Sequence, residues 1–405
     1  MIAIPRALAR ELSRVFRRLG PASLEWTAGR DGLTIQAVGS DAAVRHHLPG
    51  ARPAARLVTS VAALAGPIAT IRPEAGAARA APPFPTPPKR FTPVPGRLFA
   101  ALAAAGSVAA RDVTTRFVLN RIQLRGGRRG AVVASDSKQL LVQTGFAFPW
   151  SDDVLVSNAE VFAMLATPAP ETATIARTGT HVWVRAGPWS VALPIHAGRY
   201  PEVDPLLVRA DRPGGELILG ESDRERLLRE LPRLPGAREP GKPVVIDLAG
   251  PVIRADGEAG EPVATVPLPQ SRVQGKRIRI TCDRTYLLAA LKLGFTRMSA
   301  STPDQPLVWR DDTRTHLFLP LGSEHDEPSP RTRTSAGTRA PEPAPVPRTR
   351  KPRTAQPANR PPRPERNRPM PEPRSRPPRD ARERGGWGGW WSRVRGLFRG
   401  SGRSE

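Results

Sequence analysis

The sequence predicts an α+β protein: three tandem domains, each laying helices on one face of an antiparallel sheet, followed by a disordered tail rich in proline and arginine. Three observations predict it. One order of elements recurs three times, two proline-dense joints separate the copies, and the composition changes abruptly near Asp326.

Each copy opens with an amphipathic helix, over residues 5–19, 95–105 and 222–231. Leu98, Leu102 and Ala105 carry the helical spacing in the second, and Leu227, Leu228 and Leu231 in the third. A strand pair joined by a glycine-containing turn follows: LEWTAGRDGLTIQAV (24–38), FVLNRIQLRGGRRGAVVAS (117–135) and PVVIDLAGPVIRADG (243–257). Alternation of apolar and polar residues there marks half-buried strands. A second short helix comes next. In the first copy it is reduced to TSVAALAG (59–66). In the second, over 157–166, Ser157 is placed to cap and Glu160 to reach back. In the third, over 283–293, Asp283 is the cap. Further strands follow, clearest in TATIARTGTHVWVRAGPWSVALPI, where Val182 and Val184 share one face and Trp183 and Arg185 the other.

The joints are APPFPTPPKRFTPVPG (81–96) and HAGRYPEVDPLLVRADRPGGE (196–216). Proline lacks an amide donor and restricts its predecessor, so such runs end regular structure. The expected domains are 1–90, 91–211 and 212–325, and a unit of about 110 residues is long enough for its own core. Residues 326–405 hold 20 Lys/Arg against 8 Asp/Glu and almost no aliphatic side chains before the end. A segment of that kind buries too little apolar surface to offset its ordering entropy, so it is expected to be disordered.

Apolar residues make up 39% of the 405, aromatics only 5%, so the cores must be aliphatic. The net charge is +25, which points to a polyanionic partner, nucleic acid first and an anionic membrane surface second. No apolar run reaches membrane-spanning length, and the N-terminus lacks a signal-peptide core. A single cysteine, Cys282, suits a reducing compartment, and the expected location is cytoplasmic.

Catalysis is not expected. His46, His47, His181, His196, His316 and His325 form no metal-ligand spacing, and phosphate-loop, nucleophile-elbow and dinucleotide-binding motifs are missing. Asp152-Asp153 and Asp311-Asp312 read as turns, and Cys282 as a small buried residue rather than a nucleophile. No metal or other cofactor is expected.

Several local matches resemble the bacterial DNA sliding clamp, the beta subunit of DNA polymerase III. VVASDSKQLLV (132–142) resembles the family's "ATDG-x-R-L" strand and turn. HAGRYPEVDP (196–205) is similar to its "G-R-(F/Y)-P-D-Y" segment, and FPTPP (84–88) to its "F-P-x-x-P". Residues 277–321 resemble its C-terminal half-domain, with a Tyr-Leu-Leu helix and a terminal "V-x-M-P" strand at Leu317–Leu321. The order and spacing of these matches, over about residues 1–322, carry the resemblance.

The resemblance implies a non-enzymatic homodimeric ring that encircles double-stranded DNA and tethers the replicative polymerase, with a clamp loader and other proteins bearing clamp-binding motifs as further partners. Helices at 5–19, 59–65, 96–105, 157–166, 222–231 and 283–293 would line the hole. Arg10, Arg14, Arg17, Arg18, Arg97, Arg224, Arg226, Arg229 and Lys292 would face DNA, where phosphate contact without base reading suits sliding. The plain alternative is a solvated helix face. A partner-peptide pocket would use Ser135, Ser137, Lys138, Gln139, Leu140, Pro201, Pro205, Leu206, Leu317, Phe318, Leu319, Pro320 and Leu321. Leu140, Leu206, Leu317 and Leu319 would form its apolar floor, with ordinary core burial as the alternative.

Departures from the pattern are local. The first domain, which in the family supplies half of the dimer interface, is short. Ser137 stands where the family turn has glycine, so a different turn is expected, and Gly322 replaces the usual arginine. These changes leave a second reading open, a diverged clamp-like adaptor that binds partner peptides or nucleic acid without forming a replicative ring. In the tail, Trp387, Trp390 and Trp391 beside Arg393, Arg395 and Arg399 suit base stacking or a membrane interface. Leu397-Phe398 suits docking into the chain's own pocket, and a plain unstructured end is the alternative to all three.

Overall fold

The computed structural model describes residues 2–20, 23–65, 70–71, 82–111, 117–209, 214–239, 241–255 and 263–321. The arginine-rich tail, with its Trp387–Arg399 motif, lies outside them, as does Gly322.

Helix α1 is Arg6–Arg18, opened by Pro5, whose missing amide falls where no helical partner exists anyway. It buries Ala9, Leu12, Val15 and Phe16. Helix α2, Leu98–Val108, buries six side chains. Helix α3 is the single turn Phe162–Leu165, and α4 is Asp204–Arg209. Helices α5, Glu221–Glu230, and α6, Arg284–Lys292, belong to the third domain. The expected Asp283 cap is present: its carboxylate accepts from the Thr285 amide at 2.7 Å.

Two helices differ from expectation. Over 157–166 the capping box does not form. Ser157 ends the strand Val154–Ser157 and its hydroxyl meets His196 Nε2 at 2.7 Å, while Glu160 pairs with Arg18. Ladder pairing claims Ser157 before a helix can start, so the helix is delayed to Phe162. In the first domain, the counterpart over 59–65 is a 3-10 segment, Val61–Ala65.

Every pair of described strands is antiparallel, and pairing crosses both domain joints. In the first domain Leu24–Gly29, Gly32–Val38, Ala43–Leu48 and Ala55–Thr59 form one ladder. Ala43–Leu48 then pairs with Trp189–His196 of the second domain, Val44 opposite Val191. One edge of Trp189–His196 faces His181–Ala186. Its other edge is shared, with residues 189–192 on the first domain and residues 195–196 on Val154–Ser157. At the second joint Gln139–Phe146 pairs with Arg314–Phe318 of the third domain, Leu140 opposite Leu317. A smaller sheet in the third domain orders Ala264–Pro267, Val252–Ala255, Pro243–Asp247 and Arg279–Asp283 side by side.

Strand alternation separates two faces. Val132, Ala134, Leu141, Val182, Val184 and Val191 join the buried residues of α1, α2, α3, α5 and α6 in one apolar core. Their neighbours point the other way. Ala131, Val133, Leu140 and Val142 meet Tyr200, Val203 and Leu206 around α4. Trp183, Ala176 and Ala192 meet Phe84 and Phe91 of the first proline-rich joint. Helices α1, α2, α3, α5 and α6 therefore share one sheet face, while α4 and the 84–91 segment cover the opposite one.

Candidate nucleic-acid interface and partner patch

Helix α1 carries its charge on the side opposite its core contacts. At 100° per residue, Arg6, Arg10, Arg14 and Arg17 fall within a quarter turn, and Leu12, Val15 and Phe16 lie across the axis. All four arginines are exposed, and none of them bonds a described residue. Arg6 joins the expected cations of this helix, its i,i+4 spacing to Arg10 being the signal that marks it. Arg18 is exposed too, but its guanidinium lies 3.2 Å from Glu160.

The remaining nominated cations divide. Arg229 on α5 and Lys292 on α6 are exposed, on helices that share the sheet face of α1. Arg97 donates to the Gly145 carbonyl at 2.8 Å and lies over the Phe146 ring. Arg224 pairs with Glu221 at 2.6 Å and donates to the Leu291 carbonyl at 2.9 Å, tying α5 to the end of α6. Arg226 donates to the Pro267 carbonyl at 2.9 Å. These three guanidiniums hold the protein's own backbone.

The second joint gathers most of the nominated patch. Leu140, Leu206 and Leu317 are buried in one cluster, with Leu319 half-buried at its edge. Tyr200 and Val203, both within the clamp-like 196–205 segment, complete it. The ladder runs one step past the strands, the Leu319 amide donating to the Lys138 carbonyl at 3.0 Å. The Lys138 side chain is exposed, and Pro201 and Pro320 are half-buried. Leu321 lies apart: its amide donates to the Thr281 carbonyl and its side chain meets Gly241.

The turn at Ser135–Lys138 departs from expectation. Ser137 adopts φ 85°, the left-handed conformation that glycine would favour. Side-chain bonds hold it there. Asp136 Oδ1 accepts from the amides of Lys138 and Gln139 at 2.8 and 2.9 Å, and Ser135 Oγ donates to the Gln139 carbonyl at 2.6 Å. Ser137 thus takes a glycine-type conformation within a turn that the Asp136 carboxylate closes locally.

Beneath that turn lies a polar network on the helix face of the joint. Gln139 Nε2 donates to Asp136 Oδ2 at 2.9 Å, and Gln139 Oε1 lies 3.0 Å from His316 Nε2. Burial pushes the Asp136 carboxyl above its usual range and lowers His316 to about 3. The Cys282 thiol is fully buried and pushed up by desolvation and by Asp283, so it offers no nucleophile at a surface. Among the described residues no group of three or more His, Cys, Asp or Glu is placed to hold a metal, and no helix is long and apolar enough to cross a membrane.

No protein-family model matches the chain, and no curated protein does. Solved structures do match. The DNA polymerase sliding clamp of Bacillus subtilis is 17% identical with a TM-score of 0.61, covering 78% of this chain and 97% of its own. The beta subunit of the Streptococcus pyogenes DNA polymerase is 14% identical with a TM-score of 0.62, covering 79% and 99%. The DNA polymerase III subunit beta of Pseudomonas aeruginosa is 18% identical with a TM-score of 0.58, covering 79% and 99%. At such identities the likeness speaks for architecture, and together with the two sheet-crossed joints and the shared helix face it establishes that this chain has the three-domain fold of the bacterial DNA sliding clamps.

Proposed function

We propose that the protein is a DNA sliding clamp, in which two copies close into a ring around duplex DNA with the helix face inward and tether the replicative polymerase for processive synthesis. The observation that carries this reading is the exposed stripe of Arg6, Arg10, Arg14 and Arg17, on the same sheet face as Arg229 and Lys292. Cations on mobile side chains contact phosphates without reading bases, which is what sliding requires. The patch around Leu319 supports tethering, because a half-buried leucine beside a closed apolar cluster offers an edge onto which a peptide anchor can be laid. The polymerase, the clamp loader and other proteins with clamp-binding motifs would use that edge in turn. In this reading the protein works in the cytoplasm, with no catalytic step and no cofactor.

Light scattering on the full chain tests the ring. A mass twice that of the chain supports it, and a monomer at micromolar concentration removes it.

A second reading is a clamp-like adaptor that binds peptides or nucleic acid without a ring. It is favoured by the 3-10 segment Val61–Ala65 in place of a full helix, and by Arg97, Arg224 and Arg226 being spent on backbone carbonyls.

A further inference from the structure

On the opposite sheet face from the α1 arginines, at the first domain joint, a cavity of about 630 Å3 opens. Thr34, Arg45, His47 and Pro49 line it from the first domain, and Arg185, Gly187, Pro188 and Ser190 from the second. The joint ladder sets its geometry. Ser190 is the Cα partner of Arg45 on one side and of Arg185 on the other. The two arginines therefore flank one small side chain on the same face, with Cα atoms about 10 Å apart across two strand spacings.

Both guanidiniums are held by aromatic rings from the proline-rich joint. Arg45 lies 4.2 Å from the centre of the Phe84 ring, and Arg185 lies 3.7 Å from that of Phe91. Arg45 also donates through Nε to Gln36 at 2.9 Å. Arg185 hydrogen-bonds no described residue, and its Nε is buried without an acceptor. No acidic residue lines the cavity. The acid nearest in the cross-strand row, Glu25, is engaged by Gln36 at 2.9 Å and by Arg56 at 2.6 Å. Glu25 also acts on Arg45 electrostatically, but its carboxylate is taken up by Gln36 and Arg56, and Arg185 keeps a buried Nε without an acceptor, so the pair of ring-packed guanidiniums is short of an anion. His47, whose Nδ1 lies 3.1 Å from Thr34 Oγ1, and Ser190, which stands in register between the two arginines, add polar residues to the lining.

We propose that this cavity binds a small phosphorylated anion that bridges the first and second domains. Planar guanidinium forks match phosphate oxygens in pairs, and the volume lies in the range of pockets that take nucleotide-sized ligands. The site is separate from the proposed DNA face and does not depend on that reading.

Calorimetric titration of the full chain at low salt with inorganic pyrophosphate and with ADP tests it. The expected result is one ligand per chain. Binding should weaken about tenfold or more in Arg185→Met and in Arg45→Met, as loss of a charge-assisted bond implies. Tighter binding of ADP than of pyrophosphate would identify a nucleotide as the source of the phosphate. Ser190→Tyr, which fills the cavity and keeps both charges, should also abolish binding and guards against misfolding of the arginine variants. No binding of either probe, binding unchanged in all three variants, or equal affinity for a tricarboxylate would overturn the proposal.

Discussion

His316 Nε2 lies 3.0 Å from Gln139 Oε1, inside the seam where the second and third domains pair strands. The imidazole is fully buried, among Phe295 and Phe318, and desolvation lowers it to about 3. Protonation would strand a cation beside two rings in an apolar setting. The folded state therefore holds a neutral ring where the unfolded chain, titrating near pH 6.5, takes up a proton.

That difference has a sign. Stability attached to His316 is complete above the unfolded pKa and falls as pH drops from about 6.5 toward 3, at up to about 1.4 kcal/mol per pH unit. His46 and His196, also lowered chiefly by burial, act in the same direction. Asp136, raised by burial, opposes them as pH falls through its own raised range. Urea unfolding at a series of pH values should give a shallower acid loss for His316→Gln than for the parent. Parallel curves would contradict the assignment.

Ser137 at φ 85° is a place where one substitution can add stability. A left-handed backbone costs a side chain about 1–2 kcal/mol, partly offset for glycine by its freedom in the unfolded chain. Ser137→Gly should raise stability by about 0.5–1 kcal/mol, seen as a higher urea midpoint with an unchanged slope.

Leu140 and Leu319 should separate burial from binding. Leu140 is 1% exposed, so Leu140→Ala should cost about 2–5 kcal/mol. Leu319 sits at the edge of the same cluster, and Leu319→Asp should leave the melting temperature within a few degrees while abolishing capture of a Leu/Phe-containing clamp-binding peptide. Equal peptide affinity in parent and Leu319→Asp would move the partner site elsewhere.

Arg224 and Arg229 sit on one helix and should behave differently. Arg224→Ala removes a carbonyl contact to α6 and should lower stability by about 1 kcal/mol. Arg229→Ala should leave stability unchanged and reduce the salt slope of DNA binding by about one phosphate contact. A thermal melt and a salt titration read the two effects separately.

Much of the fold was legible because periodicity survives within each element. The three strand pairs, α1, α5 and the Asp283 cap follow from alternation, amphipathicity and one capping carboxylate. Cross-joint pairing was not legible: nothing local tells Leu140 that Leu317 lies opposite, and only the resemblance linked those segments. The Ser157 cap failed because a ladder partner outcompeted a local signal. Among the nominated cations, sequence reports charge but not the carbonyl within reach, so Arg97, Arg224 and Arg226 read the same as Arg229. The Arg45–Ser190–Arg185 row needs three strands from two domains to exist at all.

Retention on closed circular plasmid, compared with the same plasmid linearised, tests the central claim most directly. With the clamp loaded at low salt and challenged at moderate salt, a sliding ring stays on circles and runs off free ends. Equal, salt-sensitive loss from both forms would mean that the fold is kept without topological linkage, and the adaptor reading would replace the clamp.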